Sequence, residues 1–193
     1  MAKKNDSNNR LHFIGIKGMG MSGLAIMAKQ MGYAVTGSDS AEEFPTDEVL
    51  RQSNITVLNN FTAANLTDKP RIVLSAAYGL GNPEVKEAHR LRLEVKTFSE
   101  ILGELMAHFE GIGVAGIHGK TTTTAILAFI LQEAGFAPSY MIGAPYIPGL
   151  PANGHIGQGK YFIVEADEYK KSEESNEPKF LDFPLKHVIV TSI

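Results

Sequence analysis

This 193-residue chain has no cysteine at all. Disulfides and thiolate metal sites are therefore excluded. Long apolar runs are also missing. The longest, Ala125 to Leu131, falls far short of a membrane span. An apolar leader segment is lacking too, because Met1 to Arg10 is polar throughout and reads as a disordered tail rather than a signal peptide. Excess charge of one sign is absent: the net charge is −3, so no polyanion such as a nucleic acid is expected as partner. No internal repeat or low-complexity tract occurs. What remains is an ordinary globular composition, 44% hydrophobic and 20% charged, long enough for one large or two small domains. A reducing cytoplasm with no membrane partner fits all of this.

One stretch organises the chain. An apolar strand pattern, Gly111 to Ala115, runs into Gly116-Ile117-His118-Gly119-Lys120-Thr121-Thr122-Thr123-Thr124, and a helix pattern follows from Ala125. Backbone N–H groups at such a helix start point at an anion, and the helix dipole favours negative charge there. Lys120 is placed to reach outer phosphates and the Thr121 hydroxyl to ligate Mg²⁺. The strict phosphate-loop pattern has a glycine where Val114 stands, so the motif is a variant. Its bland reading is a glycine turn with an exposed lysine. His118 either touches a ligand or steadies the loop; the motif gives that position no role.

A second glycine turn comes earlier. Leu11 to Ile16 reads as a strand, Gly18, Gly20 and Gly23 satisfy G-x-G-x-x-G, and a helix pattern runs from Leu24 to Met31. A further strand, Tyr33 to Gly37, leads to Asp39, roughly 20 residues past the glycines, where a dinucleotide fold keeps its ribose-binding acid. Alone, this would suggest a nicotinamide-dependent oxidoreductase, or close packing with no ligand. Met19, Met21, Met27 and Met31 read as packing against the first sheet.

Strands and helices then alternate. Helix patterns cover Pro45 to Ser53, with Thr46 as cap, Pro83 to about Leu91, with Asn82 as cap, and Ser99 to His108, with Ser99 as cap. Strand patterns cover Ile55–Leu58, Arg71–Ser75, Leu93–Thr97, Ser139–Ile142, Tyr161–Val164 and His187–Ile193. Such alternation predicts an α/β fold with a parallel, doubly wound sheet and ligands at the carboxyl ends of its strands. Gly143 to Gly159 is a loop with five glycines and three prolines. Lys170 to Lys179 reads as a charged surface loop. Glu165, Asp167 and Glu168 end a strand expected to neighbour the Lys120 strand, where an acidic residue can hold nucleotide-bound Mg²⁺. Residue alternation would aim Glu165 and Asp167 the same way. The other histidines, His12, His89, His108, His155 and His187, show no metal-ligand spacing.

These residues together resemble the Mur ligase family. Ala115 to Thr124 is similar to its A-G-T-H-G-K-T-T-T-T signature, with Ile117 for a threonine; that family also lacks the first glycine, as at Val114. His12 to Gly23 resembles an H-F-x-G-I-G-G-x-G-M-S-G opening, with Lys17 for a glycine. Ser75-Ala76-Ala77-Tyr78, followed by Asn82-Pro83-Glu84, resembles S-S-A-I…N-P-E, and Glu165 to Glu168 matches E-A-D-E. The family's H-x-A-x-N appears as Phe61-Thr62-Ala63-Ala64-Asn65, without its histidine, and a D-H-x-D segment does not follow Ser192-Ile193.

The resemblance implies a three-domain, ATP-dependent ligase of peptidoglycan synthesis. Residues 11–107 would form a Rossmann-like domain binding UDP-N-acetylmuramate, after a tail at 1–10. Residues 108–193 would be the incomplete first part of a P-loop-type ATP domain, inactive as a ligase alone. UDP-sugar contacts are expected at Gly15, Lys17, Gly18, Met19, Gly20, Met21, Ser22, Asp39, Ser75 and Ala76. ATP contacts are expected at Gly116, His118, Gly119, Lys120, Thr121 and Thr122. Lys120, Glu165 and His118 would serve catalysis, and Thr121 and Glu165 would hold Mg²⁺. The acceptor would be L-alanine, or a tripeptide as in a cell-wall recycling relative whose E-A-D-E-Y and later K-F resemble Glu165 to Tyr169 and Lys179-Phe180. A non-catalytic UDP-sugar module is the remaining alternative. The resemblance leaves the oligomeric state open.

Overall fold

The computed structural model describes residues 9–168, 170–172 and 175–192. These fall into two compact units that divide between Phe98 and Ser99.

The first unit is built from β1 (Arg10–Ile14), α1 (Met19–Gln30), β2 (Ala34–Ser38), α2 (Asp47–Gln52), β3 (Thr56–Leu58), β4 (Arg71–Leu74), α3 (Pro83–Arg90) and β5 (Val95–Thr97). The five strands form one parallel sheet, ordered β3-β2-β1-β4-β5, so the chain starts at the sheet's centre and works outward both ways. That is a Rossmann-like α/β arrangement. Of the expected 1–10 tail, residues 1–8 lie outside the described residues, while Arg10 already pairs with Ala34 in β1. Leu11, Phe13 and Ile14 are sealed, as strands buried on both faces require.

Helix α1 begins five residues before the expected Leu24. Gly20 and Gly23, read as turn glycines, lie inside it. Glycine costs about 1 kcal/mol in a helix relative to alanine, but a Cβ at Gly20 would stand 3.1 Å from the Phe98 ring. Close packing outweighs propensity there. Thr46 does precede α2 but makes no cap bond with its side chain; its hydroxyl donates to the Lys17 carbonyl at 2.5 Å instead. Asn82 caps α3 as expected, accepting from Glu84 N at 2.8 Å ahead of Pro83.

The units divide within α4 (Phe98–Met106), after which the second unit holds β6 (Glu110–Ala115), α5 (Lys120–Glu133), β7 (Ser139–Met141), β8 (Gly154–His155), β9 (Tyr161–Glu165), β10 (Lys170–Ser172), β11 (Ser175–Pro178) and β12 (Leu185–Val190). Its sheet runs β12-β6-β9-β7-β8, parallel except for β8. Val114, Ala128, Tyr140, Ile142 and Ile163 form its sealed core.

Three expectations change. The 143–159 loop contributes β8. The 170–179 segment, expected as a loop, contains an antiparallel hairpin, held by Lys171 to Asp182 at 2.6 Å and to Glu177 at 2.9 Å; Tyr169, Glu173 and Glu174 lie outside the described residues. Ser99 sits within the first turn of α4 rather than capping it, and its hydroxyl donates to Asp182 at 2.6 Å. Ile126, Phe129 and Ile130 of α5 and Val188 and Val190 of β12 remain exposed. No helix of the described residues is long and apolar enough to cross a membrane.

Candidate functional site

Two glycine turns, one per unit, leave the carboxyl ends of central strands β1 and β6. In the first, Gly15 follows β1 at φ +85°, and its N–H donates to Ser38 O at 2.9 Å. A Cβ there would lie 2.7 Å from the Tyr78 ring and 2.8 Å from Ser75, so only glycine fits on both counts. Gly18 precedes α1, and no side chain caps that helix start. Gly18, Met19 and Gly20 are partly exposed; Met21 and Ser22 turn inward, with the Ser22 hydroxyl donating to Met19 O at 3.0 Å.

Asp39 and Lys17 behave differently from free ligand contacts. Asp39 is 2% exposed, and both its oxygens are engaged: Oδ2 accepts from Lys17 N at 2.7 Å, and Oδ1 from Ser40 N at 2.8 Å and the Tyr78 hydroxyl at 3.1 Å. The Lys17 ammonium folds back onto the loop after β2, donating to Ser40 O at 3.1 Å and Glu42 O at 2.8 Å, with Asp47 at 3.3 Å. Ser75 is half-buried at the end of β4 and Ala76 is exposed. Tyr78 was given no role by sequence; its standing as a tyrosine where the family's S-S-A-I segment has isoleucine was the signal that could have found it. Burial, then the Asp39 and Glu42 carboxylates, push its phenol up to about 12.

Beneath this turn lies a group that sequence reasoning also left unassigned. Glu84, fully buried, accepts from Ser38 Oγ at 2.5 Å, Asn65 Nδ2 at 2.5 Å and Thr62 N at 3.3 Å, and contacts His12 Nε2 at 3.4 Å. His12 Nδ1 meets Thr36 Oγ1 at 2.8 Å. Burial works to raise the Glu84 carboxyl, but hydrogen bonds from His12, Ser38 and Asn65 outweigh it and hold it below the usual value.

In the second turn, Gly116 (φ +133°) and Gly119 (φ +81°) bracket the exposed Ile117 and His118. Gly119 precedes α5, with no side-chain cap and no acidic residue in the first helical turn. The His118 backbone is pinned: its N–H donates to Ser192 Oγ at 3.1 Å, and its carbonyl accepts from Thr191 Oγ1 at 2.5 Å. Lys120 Nζ donates to Gly116 O at 2.9 Å, with Asp167 at 3.4 Å and Glu168 at 3.6 Å. Burial opposes its charge, but those two carboxylates prevail and hold its pKa above the ordinary lysine value.

β9 does lie beside β6, with Val114 opposite Glu165. Glu165 accepts from the Thr121 hydroxyl at 3.0 Å through Oε2 and from Gly143 N at 2.7 Å through Oε1. Asp167 lies beyond the end of β9, so strand alternation does not govern it, and it pairs with Lys120 rather than Thr121. Thr122 is exposed on α5. The structure thus gathers Gly116, Gly119, Lys120, Thr121 and Glu165 at one strand end.

An uncapped helix start behind two positive-φ glycines, with a lysine beside it, fits a phosphate group. The Thr121 hydroxyl and Glu165 carboxylate are oxygen donors suited to Mg²⁺, which characteristically takes few protein ligands and completes its shell with phosphate and water. Among the described residues no cluster of three or more acidic or histidine side chains forms a self-sufficient metal cage.

Comparison with known proteins fits this picture. The Mur ligase family, catalytic domain, matches residues 10–110. The UDP-N-acetylmuramate–L-alanine ligase of Desulfitobacterium hafniense (strain Y51) is 41% identical over 184 residues, covering 95% of this chain but 39% of that relative. The chain therefore spans well under half the length of this curated relative. Among solved structures, the UDP-N-acetylmuramate:L-alanyl-gamma-D-glutamyl-meso-diaminopimelate ligase (MPL) from Neisseria meningitides superimposes with a TM-score of 0.88 at 30% identity, over 96% of this chain and 60% of that one. The UDP-N-acetylmuramate-alanine ligase MurC from Thermotoga maritima gives 0.80 at 26%, over 95% and 41%.

Proposed function

This chain belongs to the Mur ligase family, and from that premise we propose that it serves an ATP-dependent ligase joining L-alanine to UDP-N-acetylmuramate in cytoplasmic peptidoglycan synthesis. The observation that carries the reading is the Thr121–Glu165 contact, 3.0 Å long, beside Lys120 at the head of α5. An oxidoreductase using the first glycine turn would have no need of that second constellation.

The division of labour follows from the two turns. The first, Gly15 to Gly20 with Ser75 and Ala76, offers a helix start to the diphosphate of the sugar nucleotide. The second, Gly116 to Thr122, cradles the ATP phosphates. Thr121 and Glu165 would hold Mg²⁺, which supplies charge neutralisation between phosphates when bound. Lys120 would exchange its contact with Gly116 O for one with the transferred phosphoryl group. A muramoyl carboxylate oxygen forms a bond to the terminal phosphorus while the bridging P–O bond breaks, releasing ADP. The acceptor amine then attacks the acyl carbon, loses a proton, and phosphate departs. His118, exposed on the same turn with its backbone fixed, is a candidate to touch the reacting groups.

The high structural likeness to a tripeptide ligase makes a peptide acceptor the second reading. Phosphate release by the full-length protein, given ATP, UDP-N-acetylmuramate and either L-alanine or the tripeptide, separates the two. Release with L-alanine is expected. Release with the tripeptide alone would reassign the acceptor, and release with neither would remove the ligase reading.

A further inference from the structure

Two positions at which this chain departs from the family pattern, Lys17 and Tyr78, meet at Asp39, and a third, Phe61, packs against Tyr78. The Lys17 backbone donates to Asp39 Oδ2 at 2.7 Å, and the Tyr78 hydroxyl donates to Oδ1 at 3.1 Å. Phe61 packs against Tyr78 with ring centroids 4.8 Å apart and planes tilted by 56°. The sequence pattern makes Asp39 the group that would grip a ribose. In the structure it is 2% exposed and each oxygen already accepts from the protein. Almost no surface of Asp39 is left for a ligand hydroxyl to reach.

Tyr78 is the polar member of this set that is not buried. It is half-buried, its ring lies against Gly15 of the turn, and it stands just past Ser75 and the exposed Ala76. A phenol that gives its proton to a carboxylate keeps its own oxygen lone pairs available. Its raised pKa keeps that proton in place at neutral pH. The tilted Phe61 ring fixes the phenol's orientation, since such aromatic pairs prefer defined geometry.

Resting on the proposed sugar-nucleotide role of this turn, we infer that Tyr78, rather than Asp39, receives a ribose hydroxyl of the uridine diphosphate sugar. Asp39 acts through it as a positioning residue, holding the phenol and the Gly15–Gly18 turn in register. The departure from the family pattern at Phe61 is then the support for the departure at Tyr78.

Calorimetric titration of the 193-residue chain with UDP-N-acetylmuramate, with UDP, and with UDP lacking either the 2′- or the 3′-hydroxyl tests this. Tyr78→Phe keeps the ring and its packing. It should weaken the two ribose-complete ligands by about tenfold, the worth of one hydrogen bond, yet bind one of the deoxy probes as the unmodified chain does. Phe61→Ala should weaken the ribose-complete ligands in the same direction. Equal loss for every probe in Tyr78→Phe, or no loss for any, would overturn the assignment while leaving the sugar-nucleotide reading standing. No binding of any uridine ligand by the unmodified chain would overturn that reading and this inference with it. Circular dichroism melts of both variants identify a folding defect, and Tyr78→Phe with an unchanged melt and unchanged affinities again counts against the inference.

Discussion

The Thr121 hydroxyl donates to Glu165 Oε2 at 3.0 Å, tying the first turn of α5 to the end of β9 across 44 positions of sequence. Two candidate Mg²⁺ ligands from separate elements are thereby held within one ion's reach before any ligand arrives. Gly143 N fixes the other carboxylate oxygen at 2.7 Å. In the full-length protein, Thr121→Ala should chiefly raise the Mg²⁺ concentration needed for half-maximal turnover. Glu165→Gln should raise it further and lower kcat, since it removes a charge rather than a neutral donor. Magnesium titrations of ATP turnover check both; curves overlapping the unmodified enzyme's would show that the pair is only structural.

Lys120 makes its contacts at the same strand end, to Gly116 O, Asp167 and Glu168. Neither carboxylate needs lysine for the fold, because both are partly open to solvent and can be hydrated in its place. Lys120→Ala should therefore leave the melting temperature nearly unchanged. On the proposed role of Lys120 at the transferred phosphoryl group, loss of its preorganised charge should cost about 10²-fold or more in kcat. A steady-state comparison at saturating ATP decides; a loss confined to KM would assign Lys120 to ground-state binding.

Much of this was legible in the sequence, for local reasons. Glycine turns between strand and helix patterns, Asn82-Pro83 at a helix start, and the β/α alternation are written within a few residues of one another. Features that depend on distant partners were not. Glu84 owes its burial to residues at 12, 38, 62 and 65, which only the sheet order brings together. Lys17 was expected to contact the sugar nucleotide from its place in the glycine segment, while the partners its ammonium finds, at 40, 42 and 47, lie across a loop. The start of α1 was misplaced because glycine reads as a helix breaker until the Phe98 ring that presses on Gly20 is known. The 170–178 hairpin carries no alternating apolar pattern; its hold comes from Lys171 and Asp182.

Glycine at two positive-φ positions can be tested against itself. At Gly135 (φ +79°) an added Cβ would meet nothing within 4 Å, whereas a Cβ at Gly116 (φ +133°) would overlap the Thr191 hydroxyl and meet Ser192 N at 2.9 Å. Gly135→Ala should cost only the backbone strain, about 1–2 kcal/mol. Gly116→Ala adds a steric overlap and should cost more, with loss of the Thr191–Ala115 and Thr191–His118 bonds that pin the turn. Urea unfolding of the two variants gives the comparison; equal destabilisation would mean the turn relaxes freely around residue 116.

The buried pair of Glu84 and His12 makes stability depend on acid in a stated direction. The Glu84 carboxyl is held below its ordinary 4.5 in the folded chain, because hydrogen bonds from His12, Ser38 and Asn65 outweigh the burial that would raise it. The unfolded chain therefore binds a proton more readily than the folded one at this group. Its stabilising contribution is complete above about 4.5 and is lost as pH falls through the lower, folded-state value. Glu84→Gln keeps the size and one acceptor but no charge, so it should unfold more easily at neutral pH and show a flatter acid limb. Glu84→Ala leaves the Ser38 and Asn65 donors facing a cavity, and a buried donor left without its acceptor costs about 1–3 kcal/mol. Because Ser38 immediately precedes Asp39 and Asn65 lies on the segment that carries Phe61, the loss should also loosen the first glycine turn. Thermal melts of the three proteins between about pH 3 and 7 carry the test, spanning the range over which a carboxyl titrates. An acid limb of equal steepness in Glu84→Gln and the unmodified chain would place the acid sensitivity elsewhere.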